Sequence, residues 1–306
     1  MKTFIKVTEI WILDKDRALL EFGSGLYGSL IEFKNASEEQ RFAYGEGLPG
    51  KAWAAGHPIV LTQFDHSYFK RTEAAHQAGL TCGIALPIFS GDFLLAVVVF
   101  LCGDDEELAG AIEVWSSDSE DKEKLGVTAG YYGILEHFEN MSKLIKLTKG
   151  NGMAGMAWAT GMPILIEDIS QTNDFIRAGD AQQAGITTGL AIPVANYNEQ
   201  CYVMTFLSAK ATPLAKRIQL WIPENDELVC RQGFSKSSNN LAEIFENITV
   251  KKGVGALGRT WLTGMPSISG NKESSLYNTD LDILSSMLTI PVIQQGKLKA
   301  IVTFLF

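Results

Sequence analysis

The sequence predicts an α+β protein made of three tandem copies of one module, each an antiparallel sheet with short helices on one face. The first observation is an internal repeat, because Trp53, Trp158 and Trp261 lie 105 and 103 residues apart in the same glycine-containing frame. The second is the alternation, within each copy, of strand-like runs with one helical stretch. We place the modules at residues 1–106, 107–212 and 213–306.

The repeated segments are long enough to exclude coincidence. They begin at Gly45, Gly150 and Gly253 and run GEGLPGKAWAAGHPIVL, GNGMAGMAWATGMPILI and GVGALGRTWLTGMPSIS. A second tryptophan keeps nearly the same period in the segments EIWILD, EVWSSD and QLWIPE. Each copy closes with a proline-containing strand followed by an apolar one, in the segments ALPIFSGDFLLAVVVFL, AIPVANYNEQCYVMTFL and TIPVIQQGKLKAIVTFLF.

The first copy shows the predicted order of elements. A hairpin turns at residues 14–16, and a short helix or loop then leads to the glycine segment. A helical stretch after it ends at Gly79, a residue that favours the left-handed conformation of a helix C-terminus. The predicted ranges are strands at 10–13, 18–22, 82–89 and 93–101, a short helix or loop at 30–41 and a helical stretch at 69–78.

Charge and hydropathy exclude several classes of protein. A net charge of −9 without a basic stripe disfavours nucleic-acid and anionic-membrane binding. The longest apolar run, residues 93–102, is too short to span a membrane and is rich in β-branched residues. Charged residues interrupt the N-terminal apolar residues, so we expect no secretory signal and a cytoplasmic protein. The acidic run at residues 104–107 is predicted to be a solvated connector.

The four cysteines predict buried, reduced thiols. They are scattered without the paired spacing of a zinc site or a disulfide framework. The four histidines include no i, i+4 pair and none recurs between copies, so we expect no metal site and no catalytic histidine. We therefore predict no catalytic residues.

Three motifs together carry a resemblance to a known family. The pattern G-x-G-x-x-G-x-x-W-x-x-G-x-P, followed by F-x-R, Ala-Gly and a strand with proline, resembles the GAF domain family. Copies 1 and 2 keep all of it. Copy 3 keeps the glycines, Trp261 and the two prolines but lacks F-x-R and Ala-Gly, so we predict a degenerate third module.

The resemblance implies a sheet of five or six strands and a small-molecule pocket between one sheet face and the adjoining loops and helix. In the family such pockets hold cyclic nucleotides, tetrapyrroles, amino acids, oxo-acids or nothing, so the sequence identifies no cofactor. The short period leaves little room for the terminal helices that usually flank a module and carry its output.

The glycine motif alone also resembles a dinucleotide-binding loop. That loop follows the first strand of a parallel βαβ unit, whereas this motif follows a hairpin, is soon followed by a proline and occurs three times. We interpret the glycines as supplying positive φ at a tight turn and close packing for the tryptophan.

Eight residues of copies 1 and 2 are candidate ligand-binding residues. The recurring tryptophans could stack on a ligand, although the sequence favours core packing because Trp261 persists in the degenerate copy. The arginines could clamp a carboxylate or phosphate, with a structural ion pair as the favoured alternative. The candidates are Trp53, Phe69, Arg71 and Cys82 in copy 1, and Trp158, Phe175, Arg177 and Thr188 in copy 2.

The proposed ion-pair partners of Arg71 are Asp65 or Glu73, and those of Arg177 are Asp168 or Asp174. Cys82 invites a redox or chromophore-attachment hypothesis, but no neighbouring cation in the sequence would activate its thiol.

Three functions remain open. The favoured one is a non-catalytic regulator that senses a small molecule, and the others are a protein interaction scaffold and a thiol-dependent redox enzyme. A sensor needs polar groups that converge on a concave space, whereas a scaffold would fill that space with apolar side chains. Exposed sheet edges or faces also predict a protein partner or a homo-oligomer, through terminal strands or sheet faces.

Overall fold

The computed structural model describes most of the chain. The described residues are 3–103, 109–117, 121–197, 200–209, 211–235, 244–246, 248–270 and 284–306, without the side chains of 195–197. The predicted acidic connector at 104–107 lies outside them.

Three antiparallel sheets of six strands confirm the predicted α+β class and the tandem modules. Within each sheet the strands follow one order, which is third, second, first, sixth, fifth and fourth. Module 1 contains β1 Ile5–Leu13, β2 Leu19–Leu26, β3 Arg41–Ala43, β4 Ile59–Leu61, β5 Cys82–Ser90 and β6 Phe93–Cys102, with helices α1 Ile31–Glu38, α2 Gly47–Ala55 and α3 Thr72–Gln77.

The other two modules repeat this order. Module 2 contains β7 Gly110–Ser117, β8 Lys124–Tyr131, β9 Lys146–Thr148, β10 Ile164–Ile166, β11 Ile186–Tyr197 and β12 Gln200–Ala209, with helices α4 Glu136–Leu144, α5 Gly152–Thr160 and α6 Ala178–Gln183. Module 3 contains β13 Arg217–Glu224, β14 Glu227–Ser235, β15 Thr249–Lys251, β16 Ser267–Gly270, β17 Ser286–Gln294 and β18 Lys297–Leu305, with helix α7 Gly255–Thr263. Among the helices of the described ranges, none has the length and apolar character to cross a membrane.

The glycine motif forms a tight turn into a helix in every module. Gly45 has a φ of +78°, and its N–H donates to the carbonyl of Gly50 at 2.9 Å. The same bond is 2.8 Å in module 2 and 2.7 Å in module 3. A Cβ on Gly50 would lie 2.1 Å from the Ala43 carbonyl oxygen, so only glycine fits there. The motif is thus explained by backbone geometry.

Each sheet buries both of its faces, one under its own helices and one against the other two sheets. Alternation along β5 shows this, because Ala85 belongs to the core of module 1 whereas Ile84 and Leu86 belong to a core shared by all modules. At the shared core, the rings of Phe100 and Phe206 lie 5.3 Å apart and those of Phe206 and Phe304 lie 6.0 Å apart. The three modules therefore fold as one body.

The modules close into a ring with pseudo-threefold symmetry. The fourth strand of each module packs against the second strand of the next, as β4 on β8, β10 on β14 and β16 on β2. The fifth strands β5, β11 and β17 meet one another, and the segments around Pro87, Pro193 and Pro291 line a narrow space between them. The recurring proline strand of the sequence thus marks the centre of the ring.

This arrangement corrects the predicted route to self-association. The first and last strands, β1 and β18, each pair with two neighbours and are not sheet edges. The sheet faces proposed as free surfaces pack on each other within the chain. The edge strands β3, β9 and β15 have only three residues each, which limits strand addition. Self-association by another surface stays a prediction.

Phe206→Ala tests the shared core, because this ring contacts the phenylalanines of both other modules. We expect a loss of about 3–5 kcal/mol in the free energy of unfolding, from lost apolar contact and the cavity left behind. The measurement is urea denaturation followed by tryptophan fluorescence. Phe93→Ala is the matched control, since Phe93 is 67% exposed and its loss should cost under about 0.5 kcal/mol. Equal losses in the two variants would contradict a shared core.

Candidate functional site

A buried ion pair occupies the interior of module 1, between the sheet and the helices. Arg71, just before α3, binds Glu9 of β1 through both terminal nitrogens, at 2.5 Å and 2.9 Å. Three further donors, Trp11, Tyr27 and Ser37, reach the same carboxylate at 3.0, 2.9 and 2.8 Å. Arg71 Nη1 also donates to the Ser37 hydroxyl. The carboxylate is therefore fully enclosed by donors.

Module 2 repeats this network. Arg177 binds Glu113 of β7 through both terminal nitrogens, at 2.6 Å and 2.9 Å. The other donors to the Glu113 carboxylate are Trp115, Tyr132 and Thr205, at 3.0, 3.1 and 2.8 Å. The two modules thus share the same buried network, in which both terminal nitrogens of an arginine bind one glutamate carboxylate.

Aromatic rings enclose each guanidinium on its remaining sides. The Cζ atom of Arg71 lies 4.8 Å from the ring of Phe33, 5.2 Å from that of Phe69 and 5.3 Å from that of Trp11. Arg177 has the same three contacts at 4.7 to 5.2 Å, with Phe138, Phe175 and Trp115. A cation held over ring faces and away from water gains additional stabilisation.

The network keeps both glutamates ionised. Burial by itself would raise the pKa of Glu9, but the charge of Arg71 and the donated hydrogen bonds outweigh it, so the pKa is lowered. Burial and Arg177 have the same opposed effects on Glu113, whose pKa is also lowered. Burial, and then the neighbouring carboxylates, raise the pKa values of Tyr27 and Tyr132. These tyrosines therefore remain neutral donors.

The arginines form a structural ion pair, but not with the partners that the sequence suggested. Neither Asp65 nor Glu73 holds Arg71, and neither Asp168 nor Asp174 holds Arg177; the partners are Glu9 and Glu113. Strand β1 or β7 brings these glutamates under the helix across more than 60 positions of sequence, so local spacing could not indicate them.

Little space remains beside the network. In module 2 a void of about 20 Å³ lies next to Arg177, lined by Trp115, Met153 and Phe175 among others. That volume accommodates about one water molecule. Arg71 and Arg177 are 4% and 5% exposed, so a ligand would have to displace their glutamates to reach them.

The remaining candidate residues lie in different places. Trp53 is half-buried and packs edge-on against Tyr44 with ring centres 5.1 Å apart. Cys82 is buried in the shared core, on the sheet face opposite the ion pair. Thr188 is buried and donates to the Glu167 carbonyl at 3.2 Å. Only Trp158 lines a large cavity. The structure therefore does not bring the eight candidates together in one pocket per module.

Module 3 holds a guanidinium in a different way. Gln219 stands at the position of the two glutamates, and Trp221 Nε1 donates to its Oε1 at 3.3 Å. The cation comes from β13, where the Cζ atom of Arg217 lies 5.5 Å from the ring of Phe245. The third module has thus replaced the ion pair of the first two, in agreement with its degenerate sequence.

A cavity with a volume of about 410 Å³ lies between modules. We call it the hairpin cleft, because the turns that follow β5 and β17 and the end of α5 form its walls. Its charged lining residues are Asp92, Lys149 and Lys299, which come from three different modules. The Lys149 ammonium lies 5.7 Å from the centre of the Trp158 ring, which also lines the cleft. Polar groups therefore converge here on a concave space.

Comparisons with known proteins found similarity to solved structures only. No family model matches the sequence, and no curated protein sequence matches it. Among solved structures, the GAF domain of A. aeolicus NLH2 in an inactive state matches at 24% identity and a TM-score of 0.26, over 34% of this chain and 61% of that one. Further GAF domains match as well.

Two other matched structures are those of proteins with different names. A mutated NreA protein from Staphylococcus aureus matches at 22% identity and a TM-score of 0.29, over 36% of this chain and 80% of that one. The free methionine-R-sulfoxide reductase from Neisseria meningitidis matches at 19% identity and a TM-score of 0.26, over 32% of this chain. The match spans about half of the reductase chain.

The buried glutamates of the modules are the residues that sequence analysis missed. A signal for them was present in the repeat itself. Copies 1 and 2 combine E-x-W with F-x-R, whereas copy 3 has Q-x-W and no F-x-R. Copy 3 has lost the glutamate together with the F-x-R arginine, as expected if these two charges neutralise each other.

The thiols and histidines of the modules do not form a reactive cluster. Burial raises the pKa of the Cys201 thiol to about 12, although Lys149 acts in the opposite direction, and burial also raises that of Cys230 to about 12. His57 stacks on Tyr202 with ring centres 4.5 Å apart. Within the described ranges, no three His, Cys, Asp or Glu side chains lie close enough to hold a metal ion.

A single and a double variant test the ion pair. Arg71→Met leaves Glu9 buried without a counter-charge and should lower the free energy of unfolding by about 3–5 kcal/mol. The double variant Glu9→Gln/Arg71→Met, which approaches the composition of module 3, should lose clearly less. Both are measured by urea denaturation. A double variant at least as unstable as Arg71→Met would contradict mutual neutralisation.

The lowered pKa values predict a loss of stability in acid. The unfolded glutamates have pKa values near 4.3, so on acidification the unfolded chain binds protons before the folded one does. The stabilisation is therefore complete above about pH 4.3 and is lost as the pH falls through the lowered pKa values. The measurement is the urea midpoint between neutral and acidic pH. Glu9→Gln/Glu113→Gln should show a flatter pH profile, and an unchanged profile would contradict the assignment.

Proposed function

We propose that this protein is a non-catalytic regulatory protein that senses a small molecule, and that the ligand binds in the hairpin cleft. The cleft carries the proposal, because its volume of about 410 Å³ is in the range of about 300–1,000 Å³ that small-molecule sites usually have. The void inside module 2 is about twenty times smaller. The cleft thus meets the criterion for a sensor that the interior of that module does not meet.

The polar lining of the cleft supports binding. Side chains of Asp92, Lys149, Gln295 and Lys299 reach it, together with one face of the half-buried Trp158. Gln294 also lines the cleft, and its amide donates to the Pro193 carbonyl of the neighbouring module at 3.2 Å. Such a mixture of charged groups, amides and one aromatic ring can fix both the position and the orientation of a small ligand.

The position of the cleft suggests how binding would regulate. Because all three modules line the cleft, a ligand there contacts all of them, and their relative placement depends on the shared core. Any change that it causes is limited by its difference in affinity between two arrangements of the modules. An effect on a partner surface would therefore require that the modules move relative to one another.

The high thiol pKa values favour a non-catalytic protein over a thiol-dependent redox enzyme. A reactive cysteine needs a lowered pKa and access to solvent, whereas burial raises the pKa of Cys201 and Cys230 to about 12. Cys82 is fully buried in the shared core. Four reduced cysteines also fit the cytoplasmic location that we propose.

An interaction scaffold is the second candidate, and the filled interiors of modules 1 and 2 favour it. Their Arg–Glu networks serve packing and leave the outer surface for partners. Since the inner sheet faces are buried in the shared core, a partner would have to use the helix side or the hairpin turns. The scaffold requires no ligand in the cleft, which separates it from the sensor.

A crystallographic fragment screen tests the sensor, with neutral, cationic and anionic fragments. We expect electron density for bound fragments in the hairpin cleft and none beside Arg71 or Arg177. Lys299→Phe should abolish this binding by filling the cleft, while leaving the fold intact, since module 1 has Leu95 at the equivalent strand position. An empty cleft after the complete screen would reject the sensor and favour the scaffold.

A further inference from the structure

The ring symmetry supplies an internal comparison for the hairpin cleft. In each module the glycine-motif helix ends at a left-handed glycine, with φ of 70° at Gly56, 64° at Gly161 and 70° at Gly264. Each of these helix ends packs near the last two strands of the next module around the ring. There are therefore three interfaces of the same type, and their side chains differ.

Two of the three interfaces are filled. Between modules 1 and 2, the His57 ring stacks on the Tyr202 ring at 4.5 Å with an angle of 13° between the planes. Between modules 3 and 1, Leu95 packs against Gly264 so closely that an added Cβ would lie 3.1 Å from its Cδ1 atom. Side chains of the neighbouring module thus pack against the helix end at both interfaces.

The interface between modules 2 and 3 is open because smaller or polar residues stand at the equivalent positions. Strand register places Tyr202 opposite Val194 and Ala300 opposite Val292, so an alanine replaces the tyrosine. The residue before each is Cys201 or Lys299, and in module 1 it is Leu95. Module 1 also has an alanine at this position, Ala96, so the feature that distinguishes the cleft from the interface between modules 3 and 1 is Lys299 in place of Leu95.

The cleft has more lysines than carboxylates in its lining, although the protein as a whole is acidic. The whole chain carries a net charge of −9, yet two lysines and one aspartate line the cleft. Among the described residues, neither Lys149 nor Lys299 forms an ion pair with a carboxylate. Two ammonium groups at one cavity, neither in an ion pair with a described carboxylate, attract an anion.

Hydrogen-bond acceptors also line the cleft. The last residues of α5, including Thr160, end at the cleft, and the carbonyl groups at a helix C-terminus carry partial negative charge. The Asp92 carboxylate lines the cleft too. These acceptors would repel the charged end of an anion but would bind hydroxyl or amino groups on the rest of it.

We infer that the hairpin cleft is a site for a small polar anion, whose carboxylate or phosphate lies at Lys149 and Lys299 and whose hydroxyl or amino groups face Asp92 and the end of α5. This assignment rests on the proposed function, because it names the ligand class for the same cleft. It also gives the third module a role, since Lys299 belongs to it.

Three compounds with a shared six-carbon polyhydroxy skeleton test the charge requirement: glucose, gluconate and glucose 6-phosphate. Binding to the full chain is measured by isothermal titration calorimetry at low ionic strength. At least one of the anions should bind about tenfold more tightly than glucose, and added salt should weaken it. Gluconate and glucose 6-phosphate distinguish a carboxylate from a phosphate ligand.

Lysine variants locate the site. Lys149→Met and Lys299→Met should each weaken binding of the anion about tenfold, because each removes one charge while keeping the length of the side chain. Lys252→Met is the matched control, since Lys252 lies over Trp261 at the same 5.7 Å but does not line the cleft. The control should bind like the unaltered protein.

Several results would overturn the assignment. They are equal affinity for glucose and the anions, no binding of any of the three, or equal losses in Lys149→Met and Lys252→Met. The fragment screen separates this failure from failure of the proposed function. Neutral fragments in the cleft without anion binding would leave the sensor intact and reject only the ligand class.

Discussion

The packing of three sheets on one another is the constraint on which the rest of the structure depends. A strand such as β5, with apolar side chains on both faces, requires cover on both. The helices of its own module cover one face, and the other two sheets cover the second. The order of the chain then matters, because each module must present its fourth strand to the second strand of the next for the ring to close.

Within that frame, the buried ion pairs of modules 1 and 2 fix the helix-side loops onto the sheet. A pair of this kind adds little net stability over apolar packing, but the loss of one member is costly. Module 3 is consistent with this, since it lacks both the glutamate and the F-x-R arginine, and its guanidinium comes from β13, the strand that also carries Gln219. In modules 1 and 2 the Arg–Glu networks occupy the space between sheet and helices, and the proposed ligand site lies at a boundary between modules.

Sequence analysis predicted the modules, the antiparallel sheets and the structural role of the glycines, because these depend on local periodicity and on repetition. The predicted strands at 82–89 and 93–101 differ from β5 and β6 by one residue at the C-terminal end of each. The predicted ion-pair partners of Arg71 and Arg177 were wrong, because the topology of the fold, and not spacing in the sequence, decides which carboxylate lies beside a buried arginine. The cleft could not be predicted, because Asp92, Lys149 and Lys299 meet only when the ring has closed.

Ring closure within a single polypeptide also has a consequence for symmetry. Three identical subunits would carry three identical interfaces, so that a residue which opened one would open all of them. Here the residues of each interface are encoded separately. His57 with Tyr202 can therefore close one interface, while Ala300 and Lys299 leave another open. A covalently linked pseudo-trimer can thus evolve a single site per molecule, with a stoichiometry of one and no cooperativity among equivalent sites.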